Sequence, residues 1–387
     1  MNPRQPTATA RPATRWLSLW LLFVIAGTGQ GQTLTKGALE QTIASGSTAL
    51  QNGNYVEAET QFRAAATMDP TSLPILNNLA ISLAREGKEQ EAITFYRQAL
   101  RLSPEDAVTR RNLGVALFRS KQYKEALPLL EAAAKQTHSY QAVDLAGLDL
   151  FALDRYAEAA AYLQEAHNLR PEDLETLDLL GKAYMRTKDY AGASAVFNQV
   201  MRLNPASPQA HLMLATAYDK LYQEQDAIHE LQAALAADPQ YPGVHTSLGV
   251  IYWRTDDIDS AEREFRAELS LHPEDPVANC TLGRVLRRRG RPAEALPYLQ
   301  AALLVNSSYR DALLETAQSE LALQRAAEAV APLRKAVVLD AGDAEAHFVL
   351  GTALIKMGKA AEGAQQRRIA GELHAEKRNS DQERTQP

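Results

Sequence analysis

A single cysteine, Cys280, stands in a chain of 387 residues, so no internal disulfide can form. An unpaired thiol of this kind is most simply a small buried residue. The sequence also lacks a glycine-rich phosphate loop, an H-E-x-x-H zinc signature and paired cysteines, and it shows no catalytic constellation. Enzymatic activity, a metal and a cofactor are therefore not expected, and there is no room for a catalytic domain beside the pattern described below. Aromatic residues make up only 6%. That scarcity, together with abundant alanine, suits helices packed closely through small residues. The formal charge is −6, which argues against nucleic acid as the main partner.

Long apolar runs are missing as well, with one exception. Trp16 to Ala26 reads WLSLWLLFVIA, preceded by Arg4, Arg11 and Arg15 and followed by Gly27, Thr28 and Gly29. A spanning helix needs roughly 20 apolar residues, and this run is shorter. The basic, apolar, small-residue order is that of a secretory signal peptide over 1–31, with cleavage between Gly27 and Gln32. An uncleaved inner-membrane anchor is the alternative, and the only expected route to a membrane. Loss of 1–31 removes three arginines and no acid, leaving a net charge of −9.

What the chain does have is a period. Leu174 to Ser207 holds two amphipathic patterns joined by a polar turn: Leu177, Leu180 and Tyr184, then Ala193, Phe197 and Val200. Gly181 and Ala193 are small where the two helices must cross, and Pro205 ends the second. Steps of 34 residues from Gly181 reach Ala215, Gly249, Gly283, Ala317 and Gly351. Backward steps, one of them 33 residues, reach Gly147, Gly114, Ala80 and Gly46. The Ala193 position recurs from Ala58 to Ala329, and the Pro205 position as Pro70, Pro104, Pro171, Pro239 and Pro273. One hairpin cannot bury its apolar face alone, and stacked copies can.

This pattern resembles the tetratricopeptide repeat. The resemblance implies an all-α, right-handed superhelical solenoid of antiparallel helix pairs over 39–377. The ten copies are 39–72, 73–106, 107–139, 140–173, 174–207, 208–241, 242–275, 276–309, 310–343 and 344–377, after a lead-in at 32–38. The first copy has weak first-helix positions, Ser45 and Ala49, and the last has a polar second helix, as terminal units do. The tail, 378–387, and the polar stretch from Glu376 that leads into it, are expected to be disordered. Pro208, Pro242 and Pro276 are expected to open first helices, with Ser207 and Asp275 as N-caps. Thr316 and Glu320 weaken the 310–343 unit. Three repeats close with His138, Ser307 and Ala341 instead of proline and carry Pro128, Pro297 and Pro332 inside the second helix. A kink there would redirect the chain.

In the resembled family the first helices line the concave groove, facing it through positions 2, 5, 9, 12 and 13, with position 6 alongside. Here position 12 offers an apolar floor of Phe118, Phe151, Met185 and Trp253, with Leu145, Leu179 and Met213 at position 6. Such a strip marks a partner site or packs against the next repeat. Position 13 offers a basic column of Arg85, Arg119, Arg186, Lys220, Arg254, Arg288 and Lys356. It would steer an acidic segment or simply complement helix C-termini. Arg287, Arg289 and Arg291 belong to the same helix end as Arg288. Asn78 and Asn112 form two rungs of an asparagine ladder that goes no further. The carboxylate clamp of related chaperone co-factors is broken: Asn77, Asn78, Arg111 and Asn112 are present, but Leu145 interrupts the set. His211, His245 and His347 share a first-helix position where packing outweighs metal binding.

The sequence thus reads as an exported, non-catalytic scaffold of a bacterial cell envelope, periplasmic or secreted. It would bind a protein or peptide, with an acidic segment as one option, and no nucleic acid. A scaffold for polysaccharide or cell-wall export is the alternative.

Overall fold

The computed structural model describes residues 30–385, with side chains over 36–378. Residues 1–29, most of the expected leader, lie outside this range. The described residues form twenty helices and no strand. They divide into two compact units, the first ending at Gln122 and the second beginning at Tyr123. Among the described residues no helix is long and apolar enough to cross a membrane.

The first unit contains α1 (Gln30–Gln51), α2 (Tyr55–Met68), α3 (Leu73–Arg85), α4 (Glu89–Leu102) and α5 (Ala107–Arg119). Each helix from α1 to α5 packs on the next, and α3 also meets α1 and α5. The second unit runs α6 (Tyr123–Thr137), α7 (Tyr140–Ala152), α8 (Tyr156–Leu169), α9 (Leu174–Arg186) and α10 (Tyr190–Leu203). It continues with α11 (Pro208–Lys220), α12 (Glu224–Ala237), α13 (Val244–Arg254), α14 (Ile258–Leu271) and α15 (Pro276–Arg288). It ends with α16 (Pro292–Val305), α17 (Arg310–Ala322), α18 (Ala326–Leu339), α19 (Ala344–Lys356) and α20 (Ala360–Thr385). Consecutive helices pack together, and alternate first helices touch.

The α9–α10 hairpin shows how the sequence sets these elements. Asp173 caps α9, its Oδ1 accepting from the Thr176 N–H at 2.9 Å. Leu177, Leu180 and Ala183 are buried against Ala193, Phe197 and Val200. After Arg186 the chain reverses through Lys188, which adopts a left-handed φ of 63°. The Asp189 N–H then reaches back to the Tyr184 carbonyl at 2.9 Å, closing α9 with a six-to-one bond. Asp189 in turn caps α10 through Gly192 N–H. Asn204 leaves the helical conformation at the end of α10, at φ −139° and ψ 79°, ahead of Pro205.

The left-handed residue recurs at the same point in all ten hairpins: Gly53, Gly87, Lys121, Asp154, Lys188, Tyr222, Asp256, Gly290, Gln324 and Gly358. The 33-residue copy loses its residue elsewhere. Only His138 and Ser139 separate α6 from α7, and His138 takes a φ of 44° to make the tighter turn.

Four expectations need correction. Pro242 does not open a helix: α13 starts at Val244, after Gly243 at φ 81°. There the buried Glu268 carboxylate of α14 accepts from the Gly243 and Thr246 N–H groups, at 2.9 and 3.2 Å, and so replaces a local cap. Ser207 and Asp275 do cap α11 and α15. In two of the three repeats without a closing proline, no kink is needed to set the exit of the chain. The chain leaves α16 and α18 through Asn306 and Asp340 in the same extended conformation, and both helices run on past Pro297 and Pro332. The lead-in at 32–38 is helical, within α1. The segment from Glu376, expected to be disordered, is helical as far as Thr385. Glu, Lys, Arg and Gln are good helix formers when nothing opposes them.

Candidate functional site

The first helices leave a notch where one packs beside the next. In the first unit a cavity of about 300 Å³ lies between α3 and α5. Ile81, Val108 and Val115 give it an apolar floor; Arg85, Arg111 and Arg119 rim it, with Asn112 and Glu89. In the second unit α11 and α13 enclose about 230 Å³ at the equivalent repeat positions, lined by Asp219, Lys220, Thr246, Ser247, Val250 and Val277.

Position 12 distinguishes these two notches. It is Ala84 in the first and Asp219 in the second, both small or polar. Phe118, Phe151, Met185 and Trp253 stand there in other repeats, all half-buried. Phe151 and Met185 pack on the core around α9, Phe151 also edge-on to Tyr156 at 5.1 Å. Trp253 packs on the core around α15. The expected apolar floor is therefore largely packing, and Leu145, Leu179 and Met213 are half-buried as well.

The basic column is not a stripe of free charge. Arg254 pairs with Asp219 and reaches Glu224 at 2.6 Å. Arg288 pairs with Asp256 at 2.8 Å and lies over the Trp253 ring. Arg186 lies over Tyr156 at 5.5 Å, Lys220 is 3.7 Å from Asp219, and Arg119 is 3.5 Å from Glu89. The reason is geometric. A cation ending one first helix reaches acids at the end of the preceding first helix, in the turn after it, or at the start of the second helix that follows it. Arg85 and Lys356 have no ion-pair partner among the described residues. The arginine run is likewise consumed: Arg287 binds Glu315, while Arg289 and Arg291 bind Glu262.

Asn78 and Asn112 are half-buried, and only Asn112 lines the α3/α5 notch. The shared histidine position has a structural explanation that sequence reasoning missed. His211 Nε2 lies 3.1 Å from the Pro205 carbonyl and His347 Nε2 3.2 Å from that of Ala341. At the same position Arg110 and Asn279 donate to Pro104 and Pro273. The other ring nitrogen joins the second helix, at Glu230 for His211, Glu264 for His245 and Gln366 for His347. A polar side chain here stitches the inter-repeat turn, and a shared six-residue step back to that turn is the signal.

Cys280 is buried, and burial pushes its thiol up to about 11. Asp149 is fully buried in α7 and neither carboxylate oxygen has a hydrogen-bond partner. Burial, with repulsion from Glu131, pushes its carboxyl up to about 7. No group of three or more metal-ligating side chains occurs among the described residues.

Models of the tetratricopeptide repeat match residues 71–136, 150–217, 212–276 and 280–344. No curated protein matches the chain. Among solved structures, the APC/C hetero-tetramer Cut9–Hcn1 aligns over 77% of this chain and 59% of its own, at 16% identity and a TM-score of 0.51. The C-terminal part of a TPR repeat-containing protein from Cytophaga hutchinsonii aligns over 60% of this chain and 96% of its own, at 18% identity and the same TM-score. YrrB, described as a TPR protein with an unusual peptide-binding site, aligns over 46% and 93%, at 23% identity and a TM-score of 0.44. At these identities the likeness is one of fold.

Proposed function

Because the chain belongs to the tetratricopeptide-repeat family, we propose that it is a non-catalytic scaffold that holds a protein or peptide segment along its first helices. The observation that carries this reading is the pair of open notches at equivalent positions, α3/α5 and α11/α13. Side chains of an extended segment would enter such notches, while backbone and rim groups hydrogen-bond along it. The leader pattern of 1–31 supports export, and with it a role in a bacterial envelope. The test is photo-cross-linking with a random peptide library. Benzoylphenylalanine at Lys220, on the rim of the α11/α13 notch, should capture peptides. The same group at Leu304, exposed on a second helix, should not. Capture at Leu304 alone would overturn the assignment.

A further inference from the structure

We propose, resting on the scaffold reading above, that the α3/α5 notch is a socket for the carboxylate side chain of an aspartate or glutamate in the bound segment. Three guanidinium groups and one carboxylate, Glu89, line it, so the lining carries a net charge of +2. Glu89 lies 3.5 Å from Arg119. Arg85 and Arg111 have no ion-pair partner among the described residues. The helix dipole accounts for Arg85, in the last turn of α3, but not for Arg111. Arg111 is the fifth residue of α5, nearer its N-terminal end, where the dipole gives a cation no benefit.

The second notch provides the internal contrast. Where the first has Arg111 and Asn112, the second has Thr246 and Ser247, and its Asp219 and Lys220 cancel in charge. Positive charge is thus not a general property of these notches. The apolar floor of Ile81, Val108 and Val115 suits the methylenes of an acidic side chain. The volume of about 300 Å³ leaves room for waters of about 30 Å³ each around the carboxylate. Arg111 and Asn112 also belong to the interrupted clamp set, whereas Arg85 and Arg119, at the ends of α3 and α5, do not.

The test uses the full chain and fluorescence anisotropy with labelled octapeptides blocked at both ends. Octaglutamate should bind about tenfold or more tighter than octaglutamine, and octalysine should not bind. Arg111→Gln should weaken octaglutamate about fivefold or more. Ala84→Phe keeps every charge and installs the side chain that Phe118 and Phe151 already provide at this position. It should abolish binding, while Arg368→Gln, on the exposed face of α20, should change nothing. Circular dichroism and melting curves confirm that each variant folds. Undiminished octaglutamate binding by Ala84→Phe would overturn the socket in favour of diffuse attraction. Octaglutamine with a free C-terminus binding as tightly as blocked octaglutamate would assign the notch to a chain end and overturn the side-chain assignment. Equal binding of both blocked peptides, or of neither, would also overturn it. The scaffold reading would then stand or fall separately, on cross-linking at Lys220.

Discussion

A Cβ atom built on Gly181 would lie 2.6 Å from Cζ of Phe197. The same relation joins Gly249 to Phe265 at 2.7 Å and Gly283 to Leu299 at 2.6 Å. The second helix's largest buried side chain therefore needs the first helix's missing one. Gly181→Ala should cost about 1–3 kcal/mol through overpacking. Combining it with Phe197→Leu should cost less than the sum of the two single changes. Urea melts of the four proteins measure this directly.

Ala193→Leu tests the other side of the same crossing. Ala193 is fully buried between α9 and α10, so the added bulk should also cost about 1–3 kcal/mol. A melting curve identical to wild type would contradict the register.

Tyr222 holds a left-handed φ of 59° while 79% exposed, so its ring contributes little packing. A non-glycine residue in this region is strained by roughly 1–2 kcal/mol, offset in part by the greater entropy of an unfolded glycine. Tyr222→Gly should therefore raise stability by up to about 1 kcal/mol. Gly290→Ala, at the equivalent turn, should lower it by a similar amount. Thermal melts of both variants supply the comparison.

Asp149 occupies a slot that Ala116, Ala183, Ala217 and Ala353 fill in other repeats. Its folded carboxyl is pushed up to about 7 from an ordinary 3.8. Between these values the folded chain retains a proton that the unfolded chain releases. Stability from this group is thus greatest below the ordinary value and falls as pH rises through about 7. Asp149→Ala should stabilise the protein, with a larger gain at about pH 8 than at about pH 5. A buried unpaired polar group costs about 1–3 kcal/mol, which sets the scale. Chemical denaturation at the two pH values tests the sign.

Glu268 stands in for the missing cap of α13. Glu268→Ala leaves the Gly243 and Thr246 N–H groups without their acceptors and should cost about 1–3 kcal/mol. Glu268→Gln keeps one acceptor oxygen and should fall between alanine and wild type. Amide hydrogen exchange at Thr246 should accelerate in the same order.

The helical hairpins were legible because burial imposes a period. Leu177, Leu180, Ala193 and Phe197 must face one another whatever else changes, and their spacing exposes the fold. The turns were less legible. Lys121, Asp154, Lys188, Tyr222, Asp256 and Gln324 share a left-handed conformation but no chemistry, so no residue type marks the site. Pro242 misled because Glu268, which takes over capping, lies a helix away. On the proposed partner face, the residue types at positions 12 and 13 could be read from the sequence. Which charges remain free could not, because the acids that bind Arg254 come from 30 and 35 residues earlier. Pairing across that distance has no local signature.

The position-12 side chains act as interchangeable stoppers. Trp253 packs on the core around α15, while Ala84 and Asp219 line open notches. One substitution can therefore shut or open a compartment while the crossings between paired helices stay untouched. Under the proposed scaffold role, a change at position 12 would alter what a notch accepts without disturbing those crossings.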